Sequence, residues 1–172
     1  MRDLDEVGTM TDILVEYEQG DRFRITVRGH ELVVDQPLDD GGGDDGPTPV
    51  EVFVAGLASC VAYYAGHYLR RHDIPVEGLA VECDFAFAED RPARVGRVTL
   101  RIIVPEGFPE GRRAGLLAVA EHCTVHNSIR QAPEVAMTVE VQGVPPAGLE
   151  PAHPAPEAGT LSTELRGLAT EV

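Results

Sequence analysis

The sequence has no tryptophan and only three cysteines, Cys60, Cys83 and Cys123. An odd and small set of thiols in a chain of 172 residues does not make a disulfide framework. Positive charge is also scarce. Lys and Arg number 14 against 29 Asp and Glu, for a net charge of -15 and a pI near 4.6. Such a field repels phosphate backbones and anionic membranes, which argues against nucleic-acid binding; its plain consequence is solubility. No unbroken apolar run reaches the roughly 18 residues of a membrane-spanning helix. The opening MRDLDEVGTMTD is acidic and has no apolar stretch of the secretory type. There is no internal repeat, C-x-x-C or H-E-x-x-H, and the acidic GGGDDG segment does not lead into a phosphate-binding Lys-Ser. These absences leave a soluble protein of the reducing cytoplasm. There, cysteines serve as core residues, metal ligands or redox-active thiols.

Apolar content is 43%, ordinary for a globular chain of this length. The pattern implies an extension over residues 1–11, one domain over 12–142 and a Pro/Ala-rich flexible tail over 143–172. Residues 13–17 and 23–28 read as strands joined by a turn at Gln19-Gly20-Asp21. In the second, Phe23, Ile25 and Val27 alternate with Arg22, Arg24, Thr26 and Arg28. A tight turn at Gly29-His30 leads to a third strand, 31–35, and then to a Gly/Pro/Asp-rich loop. That loop ends in a helix-start signature: Thr48 at the N-cap, Pro49 at N1 and Glu51 at N3. The helix runs from 49 to about 71. It is apolar over most of its circumference, which predicts burial. Two strands follow over 76–89 and 94–104, with a turn at Asp90-Arg91-Pro92. A helix over 109–122, a short one over 125–132 and an alternating strand over 135–141 complete the domain. The last twelve residues, LSTELRGLATEV, have the makings of a short helical patch. Runs of strands broken by single helices predict an α+β fold rather than alternating βαβ units.

The chemistry-bearing candidates are the thiols. Cys60 lies in GLASCVAYY, among small apolar neighbours that suit a core cysteine. Cys123 has polar company, between Glu121-His122 and Thr124-Val125-His126. Two neighbouring cysteines, one nucleophilic and one able to resolve, are what a thiol peroxidase needs. The attacking thiolate also needs a nearby cation, and Arg22, Arg24, Arg28 and His30 are available. Cys83 falls on the side of its strand shared by Val81 and Phe85, a core position. His122, Cys123 and His126 form the beginning of a zinc site, with Cys60, His67 or His30 as further ligands, but lack the motif of one. His67 and His72 suit the C-terminal end of their helix.

GPTPVEVFVAGLASC (46–60) followed by EHCTVHNSI (121–129) closely resembles the OsmC/Ohr family, and RGHELVVDQP with the glycines after it is similar to the OsmC-like subgroup. The resemblance spans residues 12–142. It implies two central helices packed with antiparallel β-sheets in an intertwined homodimer, with active sites at the subunit interface. It also implies a peroxidase for organic hydroperoxides, with a lipoyl-type dithiol as reductant and no cofactor or metal. Cys60 matches the attacking position and Cys123 the resolving one. The family's carboxylate position falls on Val50 here, and Glu51 is the next residue. One position turns a helical side chain by about 100°, so Glu51 is either the catalytic carboxylate or only the capping-box residue. The activating arginine is assigned to Arg28, which precedes a turn, with Arg24 as the other choice. Phe53, Leu57 and Tyr64 are the candidate lining of an apolar substrate pocket. The alternatives are a small-molecule-binding protein of the same fold with little or no peroxidase activity, or a thiol hydrolase built on the same dyad.

Overall fold

The computed structural model describes residues 12–142. The residues on which the N-terminal extension and the tail were expected, including the helical patch at 161–172, lie outside that range. The described residues divide into two units, one ending at Pro133 and one beginning at Glu134.

The first unit opens with an antiparallel sheet of three strands, β1 (Ile13–Gln19), β2 (Arg22–Val27) and β3 (His30–Val34), in the order β1-β2-β3. The register pairs Ile13 with Val27, Val15 with Ile25 and Tyr17 with Phe23, and sets Ile25 against Leu32. Directly paired residues share a face, so these side chains make one apolar surface. The other surface carries an ion-pair ladder in which Glu18 meets Arg22 and Arg24, and Arg24 also meets Glu31. The hydrogen bonds from Arg22 and Arg24 hold the Glu18 carboxyl below its usual range. The β2–β3 turn is Arg28-Gly29, one residue earlier than the sequence suggested. Both residues have positive φ, 50° and 84°, which is the backbone that a two-residue hairpin requires.

After β3 the chain enters the glycine-rich loop, organised by Asp35. This carboxylate is buried and accepts backbone N–H groups from Gln36 at 2.8 Å, Gly43 at 3.0 Å and Asp45 at 3.2 Å. The Asp45 N–H leads these bonds in pulling the Asp35 pKa down. The loop closes tightly on the strand: a Cβ on Gly46 would lie 2.4 Å from the Val33 carbonyl oxygen. A one-turn 3-10 segment at Leu38–Asp40 is its only helical element.

Helix α1 (Pro49–Arg71) begins and ends where the capping signature and the Arg-Arg-His end place it. The reciprocal cap is complete: Thr48 Oγ1 accepts the Glu51 N–H at 3.2 Å, and Glu51 Oε2 accepts the Thr48 N–H at 2.7 Å. The helix is long and apolar enough to cross a bilayer, but here it is the central core helix. Val54, Leu57, Val61, Ala65, Tyr68 and Leu69 are buried along one side. Phe53 and Tyr63 on other turns are exposed, so burial does not extend all round as its apolar circumference implied.

Strands β4 (Ala80–Phe87) and β5 (Val95–Ile103) form a second antiparallel pair. Cys83 pairs with Leu100, between the pairs Val81–Ile102 and Phe85–Val98, on the side expected from alternation. Burial, then the neighbouring Asp84, pushes the Cys83 thiol up. Helices α2 (Arg113–Glu121) and α3 (Thr124–Arg130) complete the unit, α2 being preceded by a 3-10 turn at Glu110–Arg112. Two buried clusters tie these elements to α1. One contains Leu57, Val61, Ala120 and Cys123, and the other Ala65, Tyr68, Leu69 and Leu116. The α+β class with antiparallel sheets is therefore as expected.

The strand anticipated over 135–141 is absent. Residues 134–142 contain no helix or strand, and Met137 and Val139 are 89% and 93% exposed. Alternation supplies a face but not a ladder. A strand needs a neighbour for its N–H and C=O groups, and among the described residues none pairs with this segment.

Candidate active site

Two of the three thiols meet. Cys60 sits in the middle of α1, on a stripe with Phe53, Leu57 and Tyr64, at helical spacings of i, i+4, i+7 and i+11. Cys123 sits where α2 ends and α3 begins, as the N-cap of α3, and its Sγ accepts the His126 N–H at 3.4 Å. Cys60 packs against the buried cluster that contains Cys123, and the two thiols are not joined by a disulfide.

Their environments differ. Cys123 has no exposed surface, whereas Cys60 is half-buried. Burial pushes the Cys123 thiol up, and the adjacent Cys60 adds to this, while the N–H groups of His126 and Val125 partly oppose it. A buried, protonated thiol next to an accessible one suits a resolving partner more than a first attacker.

The other sequence candidates take varied places. Leu57 is part of the cluster that contains Cys123, and Tyr64 packs on it. Phe53 is 48% exposed at the far end of the stripe. Glu51 is engaged in the helix cap. Arg28 stands exposed at the β2–β3 hairpin tip, without an ion pair among the described residues. Arg24, the other choice, is held by Glu18 and Glu31. The N-terminal sheet packs little on α1 or on β4 and β5, so the first unit alone does not build a site from sheet and helix together. His122 bonds its Nδ1 to the Ala118 carbonyl at 2.7 Å. Among the described residues, no three His, Cys, Asp or Glu side chains converge as a metal cage.

Two features escaped sequence reading. Thr124 Oγ1 lies 3.0 Å from the Tyr64 hydroxyl and links α3 to α1 beside the thiol pair. An apolar groove of about 540 Å³ runs along β5, α2 and α3, lined in part by Val61, Ile102, Phe108, Leu116 and His126. The threonine after a helix-capping cysteine was a signal for the first; the groove joins distant segments and had none.

A family model described as OsmC-like protein matches residues 41–138, which include Cys60, Cys123 and all of α1. The chain belongs to this family. A Psychrobacter arcticus structure, described as an osmotic-stress-induced and detoxification-response protein, is 25% identical with a TM-score of 0.65, the match covering 72% of this chain and 90% of that one. An OsmC-like protein of Mycoplasma pneumoniae is 15% identical with a TM-score of 0.62, over 72% and 89% of the two chains. The organic hydroperoxide resistance protein OhrB of Bacillus subtilis is 19% identical with a TM-score of 0.54, over 72% and 92%. No curated protein matches the chain. The relatives below 25% identity show the OsmC-like fold and no more.

Proposed function

We propose that this OsmC-like protein is a cysteine-dependent peroxidase that reduces organic hydroperoxides in the cytoplasm. The observation that carries the reading is the packing of a half-buried Cys60 against the buried cluster that contains Cys123. The Cys60 thiolate attacks the terminal oxygen of ROOH. The O–O bond breaks, the alkoxide takes a proton and leaves as ROH, and Cys60 becomes a sulfenic acid. The Cys123 sulfur then attacks the Cys60 sulfur, water leaves, and a disulfide forms. A lipoyl-type dithiol returns both thiols by two exchange steps and is itself oxidised to a disulfide. Phe53, Leu57 and Tyr64 offer an apolar approach along α1 that favours alkyl over hydrogen peroxide.

A homodimer belongs to this proposal. The apolar face of the N-terminal sheet is left largely uncovered, with Ile13, Val15 and Tyr17 all more than half exposed. Continuous apolar surface of this kind marks an interface. In this proposal a second copy seated there supplies its Arg28 to the Cys60 thiolate, which a guanidinium stabilises.

Consumption of cumene hydroperoxide by reduced protein with dihydrolipoamide tests the reading, with wild type compared to Cys60→Ser. The expected result is loss of turnover in the variant; equal rates would remove the proposal. A second reading is a binding protein of the same fold with weak peroxidase chemistry. The Glu51 carboxylate, already engaged by the Thr48 N–H, favours it. Under that reading Glu51→Gln, which keeps the cap acceptor, leaves turnover unchanged.

A further inference from the structure

The Cys123 segment is held to α1 by little besides apolar packing. Cys123 lies between two short helices, while Cys60 is fixed in the middle of a helix of 23 residues. Any motion that separates the thiols is therefore a motion of the 121–130 segment. Among the described residues, one side-chain hydrogen bond crosses from α1 to that segment, Tyr64 Oη to Thr124 Oγ1 at 3.0 Å. Tyr64 is one turn beyond Cys60, on the same face, and Thr124 directly follows Cys123. The two pairs stand side by side, one of sulfurs and one of hydroxyls. The segment's other polar contacts are within itself (Cys123 Sγ with the His126 N–H, Asn127 N–H with the Cys123 carbonyl, Asn127 Nδ2 with the His122 carbonyl, Ser128 Oγ with the Thr124 carbonyl) or to the end of α2, where His122 and Cys123 bond the carbonyls of Ala118, Val119 and Ala120. They set the shape of the Cys123 turn without fixing it to α1.

We infer that the Tyr64–Thr124 hydrogen bond is a latch that holds Cys123 against Cys60, and that Tyr64 and Thr124 are positioning residues for the resolving step. The inference rests on the thiol cycle proposed above, but the latch itself is a property of the reduced protein. With the latch closed, Cys123 is buried at the Cys60 sulfur and condenses with the sulfenic acid as soon as it forms, releasing water. With it open, the Cys60 sulfenic acid waits and is exposed to a second peroxide, which would oxidise it to sulfinic acid.

The test uses the full reduced chain and residue-resolved alkylation by N-ethylmaleimide, read by mass spectrometry. Cys123 reacts only when its segment opens. Tyr64→Phe and Thr124→Val are each expected to raise the Cys123 rate about five-fold, the weight of one ordinary hydrogen bond, and to leave the Cys83 rate unchanged. The double variant is expected to match the singles, and Thr124→Ser to behave as wild type. Parallel acceleration at Cys83 would mean general loosening and would overturn the latch; so would an unchanged Cys123 rate, or additive effects in the double variant. After addition of cumene hydroperoxide, dimedone is expected to trap more Cys60 sulfenic acid in both single variants than in wild type. An alkylation pattern as expected, with no sulfenic acid in any form of the protein, would sustain the latch and sink the peroxidase reading.

Discussion

The N-terminal sheet and the helical half of the first unit are built from similar apolar material and put it to different use. In the helical half, Leu57, Val61, Leu69, Leu116 and Ala120 are buried between α1 and its neighbours, and both interacting thiols lie inside that packing. In the sheet, Ile13, Val15 and Tyr17 occupy one face and remain open, and the strands are joined to each other more than to anything else. The difference teaches where each part of the proposed site comes from. The sulfur pair is complete within one chain. Under the proposal the cation comes from a second copy, and the sheet that carries Arg28 has its apolar face left open.

The largest effect is expected from equivalent truncations in the two regions. Leu69→Ala in the helical core is expected to cost about 2–5 kcal/mol in urea unfolding, as buried leucines do. Ile13→Ala on the open sheet face is expected to cost less than about 1 kcal/mol in dilute protein, since exposed apolar groups have little to lose. A comparable loss at both sites would break the contrast. Next in size is the sheet face as an interface. Val15→Asp, on the apolar face, is expected to weaken self-association at least about a hundredfold, from the cost of burying an unpaired charge; sedimentation velocity measures it. Glu16→Gln, on the opposite face, is expected to leave association unchanged.

The strand arginines sharpen the comparison further. Arg28→Ala is expected to lower kcat/KM for cumene hydroperoxide by about a hundredfold, the size of a lost electrostatic contact at a reacting centre, with unfolding unchanged. Arg24→Ala is expected to do the reverse, lowering stability slightly through its half-exposed ion pairs and sparing the rate. The smallest effect concerns the loop between the two regions. The Asp35 pKa is lowered in the folded chain, so the fold favours its carboxylate. That contribution is whole above the ordinary aspartate pKa and fades as pH falls through the lowered one. Asp35→Asn is expected to lower stability at neutral and alkaline pH and to flatten the acid limb, so that the variant and wild type converge at low pH, measured by urea titration from alkaline pH downward.

Much of this was legible in the sequence because the signals were local. The capping box at Thr48-Pro49-Glu51 set the start of α1 to the residue, and alternation placed Cys83 between Val81 and Phe85. The paired motifs around Cys60 and Cys123 pointed to the two thiols that meet. What failed was non-local. The alternating segment at 135–141 had the face of a strand and, among the described residues, no strand paired with it. The β2–β3 turn moved by one residue because Arg28 accepts a left-handed backbone beside Gly29, a choice that turn composition alone leaves open. The Tyr64–Thr124 hydrogen bond joins two segments far apart in sequence. The helix apolar all round met solvent on one side because burial depends on how many neighbours arrive, not on composition.

The central claim is that the Cys60–Cys123 pair is a redox couple, and one measurement bears on it most directly. Fully reduced wild-type protein is treated with one equivalent of cumene hydroperoxide, then digested without reductant and analysed by mass spectrometry. The account predicts a peptide pair linked by a Cys60–Cys123 disulfide, two hydrogens lighter than the reduced peptides, with Cys83 still a thiol. Recovery of both Cys60 and Cys123 as free thiols, with the hydroperoxide unconsumed, would contradict it.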